Sequence, residues 1–167
     1  MDRHRRVLGV AVSSRKLGFA YLIDGELMDW GASRSASKSV EGTFALVTKW
    51  AVQYQPDILV AERVGDDSRK GSYTRQLIEA IESAALHADR PFESVTRPSE
   101  GQNKFVDAAA LAKEFPQIAA WLPKPRKLWE PEPRNIIHFE ALALARAWWR
   151  KEGGRGAEAP EKKGEGT

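Results

Sequence analysis

Two glutamates stand where a carboxylate is unusual. Glu62 directly follows the apolar run of residues 58–61, so it is expected at the carboxyl end of a buried strand. In open α/β sheets, ligands bind at that end of the strands. Glu140 lies within the apolar, helix-like stretch of residues 136–145, where a buried carboxylate is costly unless it is paired or bound to a metal. Alternatively, Glu62 pairs with Arg63 or solvent, and Glu140 marks the polar edge of its helix.

A proline-rich loop at residues 123–134 mixes positive charge with an aromatic ring. Basic side chains beside an indole suit a nucleic-acid backbone with an unstacked base. Here they are Lys124, Arg126 and Lys127, next to Trp129. The other interpretation is a rigid connector that the tryptophan packs in place. Glu132 comes shortly before the helix of the second glutamate, so it could reach the same end of the sheet.

The composition excludes several other chemistries. The 167 residues contain no cysteine, which excludes disulfides, thiolate metal sites and cysteine nucleophiles and fits a cytoplasmic protein. No spacing of histidine and acidic residues matches a zinc site, and no glycine-rich phosphate loop is present. No apolar run is long enough to span a membrane, and no signal peptide is expected. The net charge of +3 permits nucleic-acid binding without requiring it.

Hydrophobic periodicity predicts the elements that must position these residues. Three strands come first, joined as an antiparallel meander with a hairpin turn at Asp24-Gly25, and they cover residues 7–12, 17–23 and 26–31. Helices and strands then alternate, with helices at 40–54, 72–88, 104–115 and 135–151 and strands at 58–61 and 92–96. This order predicts an α/β fold with a mixed sheet and helices on both faces. We expect one domain over residues 1–150 and a disordered, charged, glycine-rich tail over residues 151–167.

The order of elements and several motifs resemble the ribonuclease H-like fold and, within it, the RuvC-like Holliday junction resolvases. Residues 7–14 with Gly18 resemble that family's first strand, a Leu-Gly-Ile-Asp-x-(Gly/Ser) run followed by a glycine. Residues 56–64 resemble its strand that ends in a glutamate, and residues 140–145 resemble its Asp-Ala-Leu-Ala-Leu-Ala helix. Residues 101–104 resemble the stretch that carries a lysine near the scissile phosphate. The resemblance covers about residues 7–149.

The resemblance implies a structure-selective endonuclease that hydrolyses phosphodiester bonds in branched DNA, such as a four-way junction, in recombination and repair. In that family, carboxylates at one sheet edge hold two Mg²⁺ or Mn²⁺ ions. The resemblance therefore implies Glu62, Glu140 and Glu132 as metal ligands, and Lys104 as a neutralising cation. It also implies a homodimer, because two symmetric sites cut opposite strands. The basic side chains expected to contact DNA are Arg15, Lys16, Arg69, Lys70, Arg97, Lys124, Arg126 and Lys127.

The sequence departs from the family pattern at Ala11, where the first-strand aspartate of the resolvases falls. Alanine offers no oxygen ligand, so metal affinity and catalysis should collapse, whereas Glu140 keeps the charge of the aspartate that it replaces. Two explanations stay open: a nuclease inactivated by an Asp-to-Ala exchange, or a natural non-catalytic module that binds nucleic acid or a protein partner. We expect a resolvase-like nuclease disabled by Ala11, with the non-catalytic module as the alternative. An RNA-processing nuclease of the same fold is a third hypothesis.

Overall fold

The computed structural model describes residues 5–13, 15–64, 71–96, 104–123 and 135–153. Five strands lie within them: β1 Arg6–Val12, β2 Leu17–Ile23, β3 Glu26–Ser33, β4 Ile58–Glu62 and β5 Phe92–Val95. The four α-helices are α1 Val40–Tyr54, α2 Ser72–His87, α3 Lys104–Glu114 and α4 Ile136–Trp148. Two short 3-10 helices, Ala36–Lys38 and Pro116–Trp121, precede α1 and follow α3, and a π-helical turn at Trp149–Gly153 ends α4. Among the described residues, no helix is both long and apolar enough to span a membrane.

The strands form one mixed sheet in the order β3-β2-β1-β4-β5. The first three strands pair antiparallel as a meander, whereas β4 pairs parallel with both β1 and β5. The hairpin turn between β2 and β3 falls at Asp24 and Gly25, whose φ angles of 52° and 83° are the left-handed values that such a turn needs. The predicted meander, hairpin and mixed sheet are therefore confirmed.

The alternation of side chains along β1 divides the core into two layers. Val7 and Ala11 point to the face that α3 and α4 cover, and Leu8, Val10 and Val12 point to the face that α1 and α2 cover. A strand buried on both faces is apolar at every position, which explains why the first strand reads as a continuous apolar run. Helices lie on both faces of the sheet, as predicted.

Several segments differ from the predicted boundaries: β3 runs on to Ser33, and the 3-10 helix Ala36–Lys38 precedes α1. The 3-10 helix Pro116–Trp121 forms where no element was predicted, because Pro116 cannot continue α3 and Ile118 is fully buried in the core. The end of α4 passes into the π-helical turn Trp149–Gly153, which takes in the first residues of the predicted tail. The rest of that tail, residues 154–167, lies outside the described residues.

Helix α4 lies directly on β1 and β2 because glycine stands where the helix crosses these strands. A Cβ atom on Gly9 would collide with the carbonyl oxygen of Ala141, and one on Gly18 would lie 3.0 Å from Cγ1 of Ile137. Glycine is used here for the close approach of a helix backbone to a strand rather than for a turn. The height of α4 above the sheet is therefore set at these two positions.

We expect Gly9→Ala to destabilise the protein by about 1–3 kcal/mol, because the added methyl group must push α4 away from β1. Urea unfolding followed by circular dichroism measures the change. Gly71→Ala is the matched control, since a Cβ at Gly71 meets nothing within 4 Å. Equal effects of the two substitutions would show that the close approach at Gly9 is not a constraint.

Candidate functional site

The ends of β1 and β4 bring Ala11 and Glu62 to the same edge of the sheet. The two strands are parallel, and Gly9 lies opposite Val60. Continuing this register by two residues places Ala11 level with Glu62, on neighbouring strands about 4.8 Å apart. Because side chains alternate along a strand, Glu62 points to the same face as Val60, which packs in the same core layer as Ala11. This is the face that α3 and α4 cover.

Helix α4 carries Glu140 over this face. Ala141, the next residue, rests against Gly9 of β1, so the carboxylate lies beside the strands at the flank that faces α3. Its Oε1 atom lies 3.0 Å from Nζ of Lys104, the first residue of α3. The side chain of Glu140 is only 11% exposed, and that of Lys104 is 41% exposed. A carboxylate this deeply buried needs such a partner, because burying an unpaired charge is costly.

Asp107 is an acidic residue near this edge that the sequence interpretation missed. It lies one helical turn after Lys104 and lines the cleft between α3 and α4 together with Glu140. Lys104 lines the cleft as well, and the rest of the lining is apolar and consists of Ala108, Leu111, Ile136, Phe139 and Ala143. The spacing of a lysine and an aspartate three residues apart on a predicted helix was the signal that could have found it.

Ala11, the position at which the resolvase motif that the sequence resembles has an acid, is packed into the core. Its side chain is 5% exposed and belongs to the core layer beneath α3 and α4. On the neighbouring strand it pairs with Gly18, over which Ile137 of α4 lies. The methyl group of Ala11 therefore lies between β4, which carries Glu62, and Gly18, which α4 covers.

The described residues do not fit a pair of divalent ions. Mg²⁺ and Mn²⁺ take several oxygen ligands, Ala11 offers none, and Glu140 already pairs with an ammonium group. Within the ranges that the structure describes, no group of three histidine or acidic side chains could hold a metal ion. Glu132, the third predicted ligand, lies outside those ranges. The two predicted ligands that are described, Glu62 and Glu140, share an edge of the sheet but do not complete a metal centre.

Basic side chains lie near the ends of β1 and β4. Arg15 and Lys16 lie in the turn after β1, which is closed by the Ser13 N–H donating to the carbonyl of Lys16 at 2.8 Å. Beside β4, Arg63 and Arg75 line a groove that also holds three glutamates, Glu62, Glu79 and Glu82, so this groove carries no excess of positive charge. The other predicted DNA contacts lie outside the described residues: Arg69, Lys70, Arg97, Lys124, Arg126 and Lys127.

His138 lies on the opposite flank of α4 from Glu140 and is 8% exposed. Burial lowers its pKa, a hydrogen bond with the backbone of Gly31 raises it, and the positive charge of Lys16 lowers it, with a net lowering. Within the described part of the chain, its Nδ1 atom has no hydrogen-bond partner. The imidazole is therefore directed towards β3, apart from the carboxylates of the edge.

Solved structures with a similar arrangement of elements include Holliday junction resolvases and a phage large terminase nuclease. RuvC of Thermus thermophilus is 15% identical, with 89% of this chain and 96% of that chain covered at a TM-score of 0.61. The yeast mitochondrial Holliday junction resolvase is 12% identical, with coverage of 95% and 85% and a TM-score of 0.57. The large terminase nuclease of the thermophilic phage G20c, solved with bound cobalt, is 15% identical, with coverage of 86% and 81% and a TM-score of 0.54.

These structures establish the class of fold. The chain has the α/β, ribonuclease H-like fold, as the sequence predicted. The resemblance to Holliday junction resolvases is confirmed at the level of the fold. The terminase nuclease has also been solved with zinc and with magnesium. No model of a protein family matches the sequence, and no curated protein matches it.

The buried imidazole of His138 predicts a pH dependence of stability. Because folding lowers its pKa from the ordinary value of 6.5, the unfolded chain binds a proton more readily than the folded chain below that pH. The contribution of His138 to the free energy of unfolding should be fully present above about pH 6.5. It should be lost as the pH falls from that value to the lower pKa of the folded state. His138→Gln should flatten the slope in urea unfolding measured across this interval. His87→Gln, at an exposed histidine of α2, is the control and should keep the slope.

Proposed function

We propose that this chain binds branched DNA on the scaffold of a structure-selective endodeoxyribonuclease, and that Ala11 disables cleavage in it. The observation that carries the proposal is that Ala11 lies level with Glu62 at the ends of β1 and β4, on the face of the sheet that α4 covers with the ion pair of Glu140 and Lys104. Each of these residues stands where the resolvase-like motifs of the sequence imply a functional group. The fold shared with resolvases and with a terminase nuclease supports the same assignment.

A phosphodiester backbone is the polyanion that suits the charges around this edge. Arg15 and Lys16 lie in the turn directly after β1, whereas the two arginines of the groove beside β4, Arg63 and Arg75, lie among glutamates. Duplex DNA carries one negative charge for about every 1.7 Å of its axis, so a strand that crosses the edge at β1 meets Arg15 and Lys16. The carboxylates at the edge would repel a phosphate, and Lys104 reduces this repulsion by pairing with Glu140.

A four-way junction is the branched DNA that we propose as the ligand. The Thermus thermophilus RuvC has been solved in complex with a Holliday junction substrate, which supports this choice. A homodimer would present two symmetric edges to such a junction, and we propose this state for the DNA-bound protein. The absence of cysteine fits the cytoplasm, where we place a role in recombination and repair.

Loss of cleavage follows from what a nuclease of this class needs at the edge. When bound, a pair of Mg²⁺ or Mn²⁺ ions supplies an activated water and stabilises the charge on the leaving oxygen. The methyl group of Ala11 cannot bind such an ion, and its side chain sits level with Glu62. The described residues can therefore hold and orient a phosphate by charge, but they do not supply the metal ligands that hydrolysis of the phosphodiester bond needs.

We expect Ala11→Asp to give nicking of a synthetic four-way junction in the presence of Mg²⁺, because it restores an oxygen ligand between Glu62 and Gly18. The parent chain should bind the junction without cutting it. The assay runs both proteins on junction, linear duplex and hairpin RNA, with Mg²⁺ and with EDTA, on native and denaturing gels.

Ala11→Asn is the matched control for this experiment, since it has nearly the same shape but no charge. Symmetric nicking by Ala11→Asp alone supports a resolvase scaffold in which one ligand is missing. If the folded Ala11→Asp protein binds the junction and never cuts it, the chain is a natural non-catalytic module instead. Preference for the hairpin RNA would contradict a DNA junction as the ligand.

Replacing Arg15 or Lys16 with Gln should weaken junction binding several-fold, because each substitution removes a positive charge from the path of the DNA backbone. The slope of log affinity against log salt should fall by about 1 for each phosphate that is no longer neutralised. Both residues follow the strand end that carries Ala11, so a backbone at the edge must pass them. Lys49→Gln, at an exposed position in α1, is the control and should leave the slope unchanged. Equal salt slopes for all three variants would place the DNA elsewhere on the surface.

A further inference from the structure

The ion pair between Lys104 and Glu140 places a cation on a carboxylate that the resemblance implies as a metal ligand. The ammonium lies 3.0 Å from Oε1 of the carboxylate. The carboxylate is 11% exposed and the lysine 41%, so the ammonium covers Glu140 from the side that is open to solvent. An ion that arrives from solution to bind this oxygen must displace the ammonium or share the carboxylate with it.

The charges of the edge would offset only half the charge of two divalent ions. Glu62, Glu140 and Asp107 bring three negative charges and Lys104 one positive charge, which leaves a net charge of −2 among these side chains. Two divalent ions would bring a charge of +4. An acidic side chain at position 11 would stand nearest to Glu62, and alanine does not supply one. Among the described side chains, both the number of ligands and the local negative charge are therefore lower than a two-metal centre needs.

We propose that Lys104 is the built-in cation of this site: its ammonium holds Glu140 in place of a divalent metal ion, and the edge meets a DNA phosphate without taking up Mg²⁺ or Mn²⁺. The identity of the phosphate as DNA rests on the proposed function. The exclusion of the metal rests on the ion pair and on Ala11 alone.

One consequence concerns the conditions under which the protein binds DNA. A fixed ammonium is present at any concentration of divalent ions, so chelation of those ions leaves the charge of the edge unchanged. Affinity then depends on monovalent salt through the lysine and arginine contacts. Ala11→Asp would change this balance, because a new carboxylate favours a metal ion and releases the lysine to contact phosphate.

A titration with Mn²⁺ in the absence of DNA, followed by the electron paramagnetic resonance of free Mn²⁺, tests the proposal directly. Lys104→Gln and Lys104→Met should each bind Mn²⁺ about tenfold more tightly than the parent chain, since each removes the competing positive charge. Lys113→Gln is the control, because this exposed lysine of α3 lies nine residues, or about 13 Å, further along the same helix. Circular dichroism verifies that both Lys104 variants are folded.

Binding of Mn²⁺ by the parent chain as tight as that of the Lys104 variants overturns the proposal. A junction-binding assay with EDTA or Mn²⁺ separates this outcome from a failure of the proposed function. Equal junction affinity under both conditions supports the built-in cation. Junction binding that requires Mn²⁺ overturns it and leaves branched DNA as the ligand. If no junction is bound although the Mn²⁺ titrations come out as expected, the built-in cation is supported and the proposed function is wrong.

Discussion

The close packing of α4 on β1 and β2 is the constraint on which the rest of the structure depends. Gly9 and Gly18 provide no side chain beneath the helix, so its backbone comes nearer to the sheet than side chains of ordinary size allow. This approach fixes the position of Glu140, which directly precedes the residue that touches Gly9. A substitution of either glycine is therefore expected to shift the core and the candidate site together, because the packing of α4 on the sheet positions both.

The need for a positive charge at the sheet edge follows from the position of Glu140 close to the sheet. A carboxylate carried so near to the sheet loses most of its water, and its charged form needs a partner. Helix α3 supplies one in Lys104, whose long aliphatic stem lets the ammonium reach the carboxylate while the side chain stays partly in solvent. The pairing of α3 with α4 is thus both a packing contact and a charge contact. Another pair, between Arg146 and Glu114, joins the far ends of the same two helices.

Features encoded within a short stretch of sequence could be predicted, and features that depend on the rotation of helices could not. The apolar run of β1, the turn at Asp24-Gly25 and the strand that ends at Glu62 are local patterns, and the structure has them. The groove beside Arg63 depends on how α2 lies against β4 and β5, which no local pattern specifies. Asp107 was missed for the same reason, since its neighbour Glu140 comes from a different helix, much later in the chain.

The structure also explains how Ala11 is compatible with an intact fold. Carboxylates grouped at a nuclease site repel one another, and they are tolerated because bound cations offset that repulsion. Without a cation, each acid at a buried edge costs stability. Alanine places no charge at position 11, which is only 5% exposed, and Lys104 pairs with the charge of Glu140. Among the described residues, these two side chains therefore lower the electrostatic cost of the edge without a metal ion.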